Sequence, residues 1–307
     1  MSMIGQSQKQ TYIMNKQTSK PLVSVVLPMY NAEKTIAECL DSIIGQTYTN
    51  MEIIVMDDGS TDNSVEVVKS YADKRIKIFR YKHNYIVNLN RGFLHCNGKY
   101  IARMDADDRM CPTRIEKQVE VLENHHNVSV CCSVMKKYGC TEDVRYGCDG
   151  IIPNLKIRLL RGNCLAHPTM MFRKTLIQEG FRYKKAYIYA EDYKLWVDMA
   201  LKDVVFYNIP EALVEYRKSK AQVSYLYNGQ QRMNAWLIRQ ELLETLIKQC
   251  PVPLRNKLRK VYTGLLDLNH EGVVAPKGFY DIFFNIFQQI AARNNEMETH
   301  SEKSPTT

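Results

Sequence analysis

Three short apolar runs, at residues 22–27, 52–56 and 99–104, constrain this chain more than any other feature. Val23-Ser24-Val25-Val26-Leu27 and Glu52-Ile53-Ile54-Val55-Met56 are almost continuous in aliphatic side chains, the mark of strands buried on both faces. Between them, residues 32–44 place Ile36, Leu40, Ile43 and Ile44 on one stripe at helical spacing, and Gly45 supplies a stop. The alternation continues. Residues 65–71 read as a helix with Thr61 or Asp62 as N-cap, and 75–80 as a strand carrying Ile76 and Ile78. Residues 84–96 read as a helix and 99–104 as the next strand. Strands and helices alternating at this spacing form βαβ units, which predicts an α/β fold with a mainly parallel, helix-flanked sheet. Ligands of such sheets bind beyond the carboxyl ends of the strands.

Chemistry collects at those ends. The first run gives way to Pro28-Met29-Tyr30-Asn31, the second to Asp57-Asp58-Gly59-Ser60, and the last to Asp105-Ala106-Asp107-Asp108. Crowded carboxylates raise one another's pKa unless a cation lies between them. The last cluster therefore suits a hard divalent metal with oxygen ligands, a phosphate completing the coordination. Taken alone, a solvated acidic turn explains it more plainly; three equipped strand ends on one sheet edge outweigh that reading.

The net charge of +9 fits anionic partners: nucleotides, an acidic membrane surface or nucleic acid. Aromatic and basic residues interleave in Arg80-Tyr81-Lys82-His83 and Arg182-Tyr183-Lys184-Lys185. No helix-turn-helix, finger or RNA-binding signature accompanies them, so a nucleic-acid partner is not expected. No apolar run approaches the roughly 20 residues that span a bilayer. Residues 1–20 are polar and lack the apolar centre of a secretory signal. The nine cysteines lack metal-finger spacing and read as reduced thiols of a cytoplasmic protein.

Val25-Val26-Leu27-Pro28-Met29-Tyr30-Asn31, Asp57-Asp58-Gly59-Ser60-Thr61-Asp62 and Met104-Asp105-Ala106-Asp107-Asp108 resemble, in order, successive blocks of family 2 glycosyltransferases of the GT-A fold. Pro112-Thr113-Arg114-Ile115-Glu116-Lys117-Gln118 resembles the helix after the acidic motif. His167-Pro168-Thr169-Met170-Met171-Phe172-Arg173 is similar to an acceptor-side strand, and Tyr189-Ala190-Glu191-Asp192-Tyr193-Lys194-Leu195-Trp196 to the catalytic-base segment. The resemblance spans residues 21–224. One departure is Tyr85-Ile86, where relatives often carry a glycine shortly after the first Asn.

The resemblance implies an inverting transferase that moves a sugar from a UDP-sugar to a hydroxyl of a glycan or lipid-linked saccharide, in surface polysaccharide synthesis. Asp107 would ligate Mn²⁺ or Mg²⁺. Asp105 would hold the donor ribose or reach the metal through water, and Asp58 would accept from the uracil edge. Pro28 and Tyr30 would flank the base, Tyr30 by stacking. Asp192, rather than adjacent Glu191, would be the general base. His167 would line the acceptor side, and Arg217, before Gln222 and Ser224, could clamp the diphosphate; a structural histidine and a surface arginine are the plain alternatives. Trp196 is expected in the core. A catalytically silent nucleotide-sugar-binding scaffold of the same fold is the competing reading.

After residue 224 only helical patterns remain, at 230–248, 254–268 and 279–290. The expected organisation is a polar tail (1–20), a catalytic domain (21–224), a helical extension (225–292) and a disordered tail (293–307). The extension is expected to pack on the catalytic domain. In a second reading, basic stretches such as Arg255-Asn256-Lys257-Leu258-Arg259-Lys260 rest peripherally on the cytosolic face of an anionic membrane.

Overall fold

A computed structural model describes residues 20–138, 148–218, 226–270 and 285 of the 307-residue chain. The apolar runs become β1 (Val23–Met29), β2 (Met51–Asp57) and β4 (Tyr100–Arg103), with β3 (Ile76–Arg80) at the sheet edge. These four pair in the order β3-β2-β1-β4, all parallel. Their connections run through α1 (Ile36–Ile44), α2 (Ser64–Ser70) and α3 (Tyr85–His95). Alternate side chains serve two cores. Val26, Ile54, Met56 and Ile101 face one layer, and Val25, Leu27, Ile53, Val55 and Ala102 face the other.

Pro28 does not end β1 as the sequence led us to expect. The strand runs on to Met29, paired with Asp57. Val26 turns its carbonyl toward β4 and accepts from Met104, so Pro28, two residues on, faces the same side beyond the end of that ladder. A missing N–H costs no hydrogen bond there.

The sheet continues through short β5 (Arg109–Met110), α4 (Arg114–Asn124), β6 (Val128–Lys137), β7 (Gly150–Ile151), α5 (Leu155–Arg161), β8 (Met171–Arg173), α6 (Thr175–Gln178), α7 (Glu191–Leu201) and β9 (Val205–Tyr216). Strand order is β3-β2-β1-β4-β8-β6-β9-β5, with β7 also on β9. β8 runs antiparallel to β4 and β6, while β6 and β9 form a long parallel pair. The sheet is mixed but mostly parallel, its antiparallel ladders being two or three residues long. β1, β2, β4, β6 and β9 consequently present their carboxyl ends at one edge.

Two helices follow, α8 (Asn228–Gln249) and α9 (Val252–His270). Ile238, Leu242, Leu243 and Ile247 of α8 and Leu258 of α9 join the same apolar core as Leu159 of α5 and Trp196 of α7. No described helix is long and apolar enough to cross a membrane. The helix expected at 279–290 and nearly all of both expected tails lie outside the described residues.

Candidate active site

At the carboxyl edge lies an open cavity of about 690 Å³ whose lining includes Pro28, Tyr30, Asp105, Asp107, Asp192 and Arg217. Local hydrogen bonding shapes its first wall. The loop after β1 is latched to the loop after β2: Ser60 Oγ accepts from Asn31 N–H, Ser64 Oγ from Ala32 N–H, and Asp62 from Glu33 N–H. In return Asn31 Oδ1 accepts from Thr61 N–H at 2.8 Å. Gly59 turns the second loop at φ +79°, a conformation that favours glycine.

Tyr30 is 50% exposed, its ring 4.6 Å from that of His83. Asp58, expected in the same wall, is not among the residues lining the cavity. Its carboxylate is taken up by the start of α3, accepting from Asn84 N–H at 2.7 Å and from the Asn88 amide. His83 Nδ1 sits 2.8 Å from its other oxygen, so Asp58 stands behind Tyr30 with His83 touching both.

After β4 the chain turns sharply, and carboxylate oxygens of Asp105, Asp107 and Asp108 come within 4.8 Å of one another. Burial, then repulsion from Asp105, pushes Asp107 up to about 6. Burial, then Asp105 and Asp107, pushes Asp108 up to about 9. Asp108 accepts from Arg217 N–H at 2.8 Å through Oδ1, while its buried Oδ2 has no hydrogen-bond partner among the described residues. Crowded hard oxygens, an unpartnered buried one and strained ionisation together fit a divalent cation. Arg217 also donates through Nε to the Asp107 carbonyl and pairs with Glu38 at 2.5 Å.

The second pole is the start of α7. Burial raises the pKa of Asp192; Tyr193 N–H and Asn163, donating at 2.6 and 2.8 Å, pull it back. Glu191 is more deeply buried, and burial followed by repulsion from Asp192 pushes it up to about 7. Arg103 links the two poles. Buried and paired with Asp105, its guanidinium lowers the pKa of Asp107, Asp108, Glu191 and Asp192 alike. His167 lines the cavity and bonds the Tyr183 hydroxyl at 2.6 Å. Burial, with Arg103 adding to it, holds its pKa well below the ordinary value, so the ring is neutral. Trp196 is fully buried, edge-on to His167 and Phe206, and is a core residue.

Pro28, Tyr30, Asp105, Asp107 and Asp192 thus meet in one cavity. Sequence reasoning passed over Arg103, Asn163 and Tyr189, which also line it, and used Tyr85 only as a departure from the family pattern. Tyr85 lines the cavity and lowers the pKa of Glu191, so the position without glycine puts a phenol near the second pole. Gln222 and Ser224 lie outside the described residues.

Residues 24–181 match the model for glycosyl transferase family 2, just over half the chain. An uncharacterized glycosyltransferase of Haemophilus influenzae is 38% identical over 251 residues, 76% of this chain and 77% of its own. The UDP-Glc:α-D-GlcNAc-diphosphoundecaprenol β-1,3-glucosyltransferase WfgD of Escherichia coli is 28% identical, over 66% of this chain and 79% of its own. Among solved structures, S. aureus TarS 1–349 in complex with UDP-GlcNAc matches with a TM-score of 0.60 at 16% identity, covering 89% of this chain and 91% of that one. The mannosyltransferase PcManGT of Pyrobaculum calidifontis, in complex with GDP-Man and Mn²⁺, gives 0.53 at 16%, covering 90% and 88%. The likeness in structure makes the fold GT-A, and the likeness in sequence is close and long enough to decide kinship: the chain belongs to glycosyl transferase family 2.

Proposed function

We propose that this protein is an inverting, metal-dependent hexosyl- or N-acetylhexosaminyltransferase. It takes its sugar from a UDP-sugar and delivers it to a hydroxyl of a glycan or lipid-linked saccharide, in surface polysaccharide assembly at the cytosolic membrane face. One observation carries the reading: an acidic cluster beside Arg217 and a carboxylate oriented by Asn163 face each other across a single cavity. WfgD, named for a UDP-Glc donor and a diphosphoundecaprenol-linked acceptor, supports both substrate classes, and the UDP-GlcNAc complex of TarS supports the donor.

Asp107, with Asp105 beside it, would hold Mn²⁺ or Mg²⁺. Such an ion neutralises charge developing on the departing diphosphate. Arg217 flanks the same group. Pro28 and Tyr30 flank the uracil, and Asp58, engaged by His83 and the start of α3, supports that wall from behind. Asp192 removes the acceptor's hydroxyl proton as that oxygen bonds to the anomeric carbon. The bond from that carbon to UDP breaks, so an α-linked donor yields a β-linked product. A base so placed contributes about 10²- to 10⁴-fold.

The test is release of UDP from a panel of UDP-sugars, with Mn²⁺ and with EDTA. At least one donor should turn over, with Asp107→Ala and EDTA each removing the activity. Turnover of none, or turnover indifferent to both treatments, would overturn the reading.

A further inference from the structure

A second cavity, of about 780 Å³, lies along α8 and is lined by Arg232, Met233, Trp236 and Arg239 among others. Met233 is 57% exposed. A third space of about 480 Å³ joins it to the active site, since Asn163, Tyr189, Asp192 and Gln231 there meet Arg232 and Ala235. At the junction the rings of Tyr189 and Tyr227 stack, 4.2 Å apart and 10° from parallel. Tyr189 holds φ at +68°, a costly backbone state for a residue with a side chain. Helix α8 enforces it. Gln231 donates to the Tyr189 carbonyl and Asn234 to the Ile188 carbonyl, each at 2.8 Å. The same helix therefore fixes the turn into Glu191-Asp192 and carries a groove away from it.

We infer that this groove binds the lipid end of the acceptor, a saccharide joined to a long alkyl chain through a diphosphate. The inference rests on the transferase reading above. The sugar lies on the Tyr189–Tyr227 pair with a hydroxyl toward Asp192, the diphosphate at Arg232, and the chain along Met233 and Trp236. Charge supports that occupant. Lys137, Lys218, Arg232 and Arg239 line the two outer spaces, and among the described residues Asp192 is their sole carboxylate. Arg232 makes no ion pair among the described residues. A bare saccharide would leave the apolar trough in water.

Trp236 lines the groove and Trp196, the chain's other tryptophan, is fully buried, so intrinsic fluorescence reports occupancy. Undecyl diphosphate and methyl diphosphate are titrated below micellar concentration. The longer probe should bind about tenfold more tightly, as expected when a few methylenes leave water. Arg232→Ala should weaken it about fivefold or more, and Met233→Glu should erase the chain-length preference. Equal affinity for both probes overturns the inference, as does binding indifferent to both substitutions. Vesicles of phosphatidylglycerol that quench as strongly as undecyl diphosphate overturn it too, because the groove would then read bulk membrane. UDP binding by the wild-type protein in the same series keeps the failures apart. UDP bound without undecyl diphosphate sinks the groove alone, and no UDP binding sinks the transferase reading beneath it.

Discussion

Burial raises the pKa of Asp192, and the two hydrogen bonds it accepts draw it back toward the ionised form a base needs. Asn163→Ala removes one of them. A hydrogen bond to the charged form lowers a carboxyl's pKa, so its loss raises Asp192 further and demands higher pH for deprotonation. The acidic limb of kcat/KM against pH should move to higher pH. The plateau should fall about tenfold, the worth of one hydrogen bond to a charged group. An unmoved limb would mean that Asn163 does not act through Asp192. Of the adjacent acids, Asp192→Asn should cost about 10²-fold or more and Glu191→Gln distinctly less; steady-state rates that reverse this order would transfer the role of base to Glu191. The acids were legible in sequence because carboxylates clustered after an apolar run have few other uses. Asn163 was not, since one asparagine after a glycine looks like ordinary loop. Nor does a tyrosine announce a left-handed backbone, and so Tyr189 stayed hidden.

Among elements, the parallel strands could be read because burial on both faces leaves almost nothing but aliphatic side chains. The β6–β9 pair could not. The run Cys131-Cys132-Ser133-Val134-Met135 mixes small polar and apolar residues, and its partner begins some seventy positions later, beyond any local periodicity. Pro28 misled for a similar reason, because whether a neighbouring ladder has ended is a property of the assembled sheet. Asp58 was correctly placed at a strand end, but that its carboxylate would engage the first turn of α3 depends on how that helix docks. Gly59 is the hinge of this arrangement. A Cβ there would meet His83 N at 3.1 Å and the Tyr81 carbonyl at 3.3 Å, with φ already left-handed. Gly59→Ala should therefore destabilise the fold by about 1–2 kcal/mol and weaken UDP binding, because Tyr30 and Asp58 are held by the loops it turns. Urea unfolding and UDP titration check this; a variant as stable as wild type would show that the loop has slack.

Across the whole molecule, three acids at one end of the parallel strands and one at the other are shifted in opposite directions. At the carboxyl edge Asp107, Asp108 and Glu191 are pushed up to about 6, 9 and 7. At the amino edge Glu52 is pulled down from 4.5 to about 2. Burial alone would raise Glu52, but hydrogen bonds from Lys77, Ser24 and both nitrogens of Asn97 overcome it, at 2.6–3.2 Å. Those bonds tie β1, β3 and the turn before β4 to β2 in one knot. The signs follow from proton linkage. A group raised in the folded state adds stability that is complete below its unfolded pKa, so Asp107, Asp108 and Glu191 contribute no slope in strong acid. A group lowered in the folded state adds stability that is present above about pH 4.5 and lost as pH falls toward 2. Water reaches the half-exposed Lys77 end, so Glu52's share is about 1–2 kcal/mol. The melting temperature of wild type should accordingly fall toward that of Glu52→Gln between pH 4.5 and 2, with the full gap between the two proteins open at pH 6. A gap that stays constant down to pH 2 would mean that the Glu52 charge contributes nothing, and that the knot holds by shape and neutral hydrogen bonds alone.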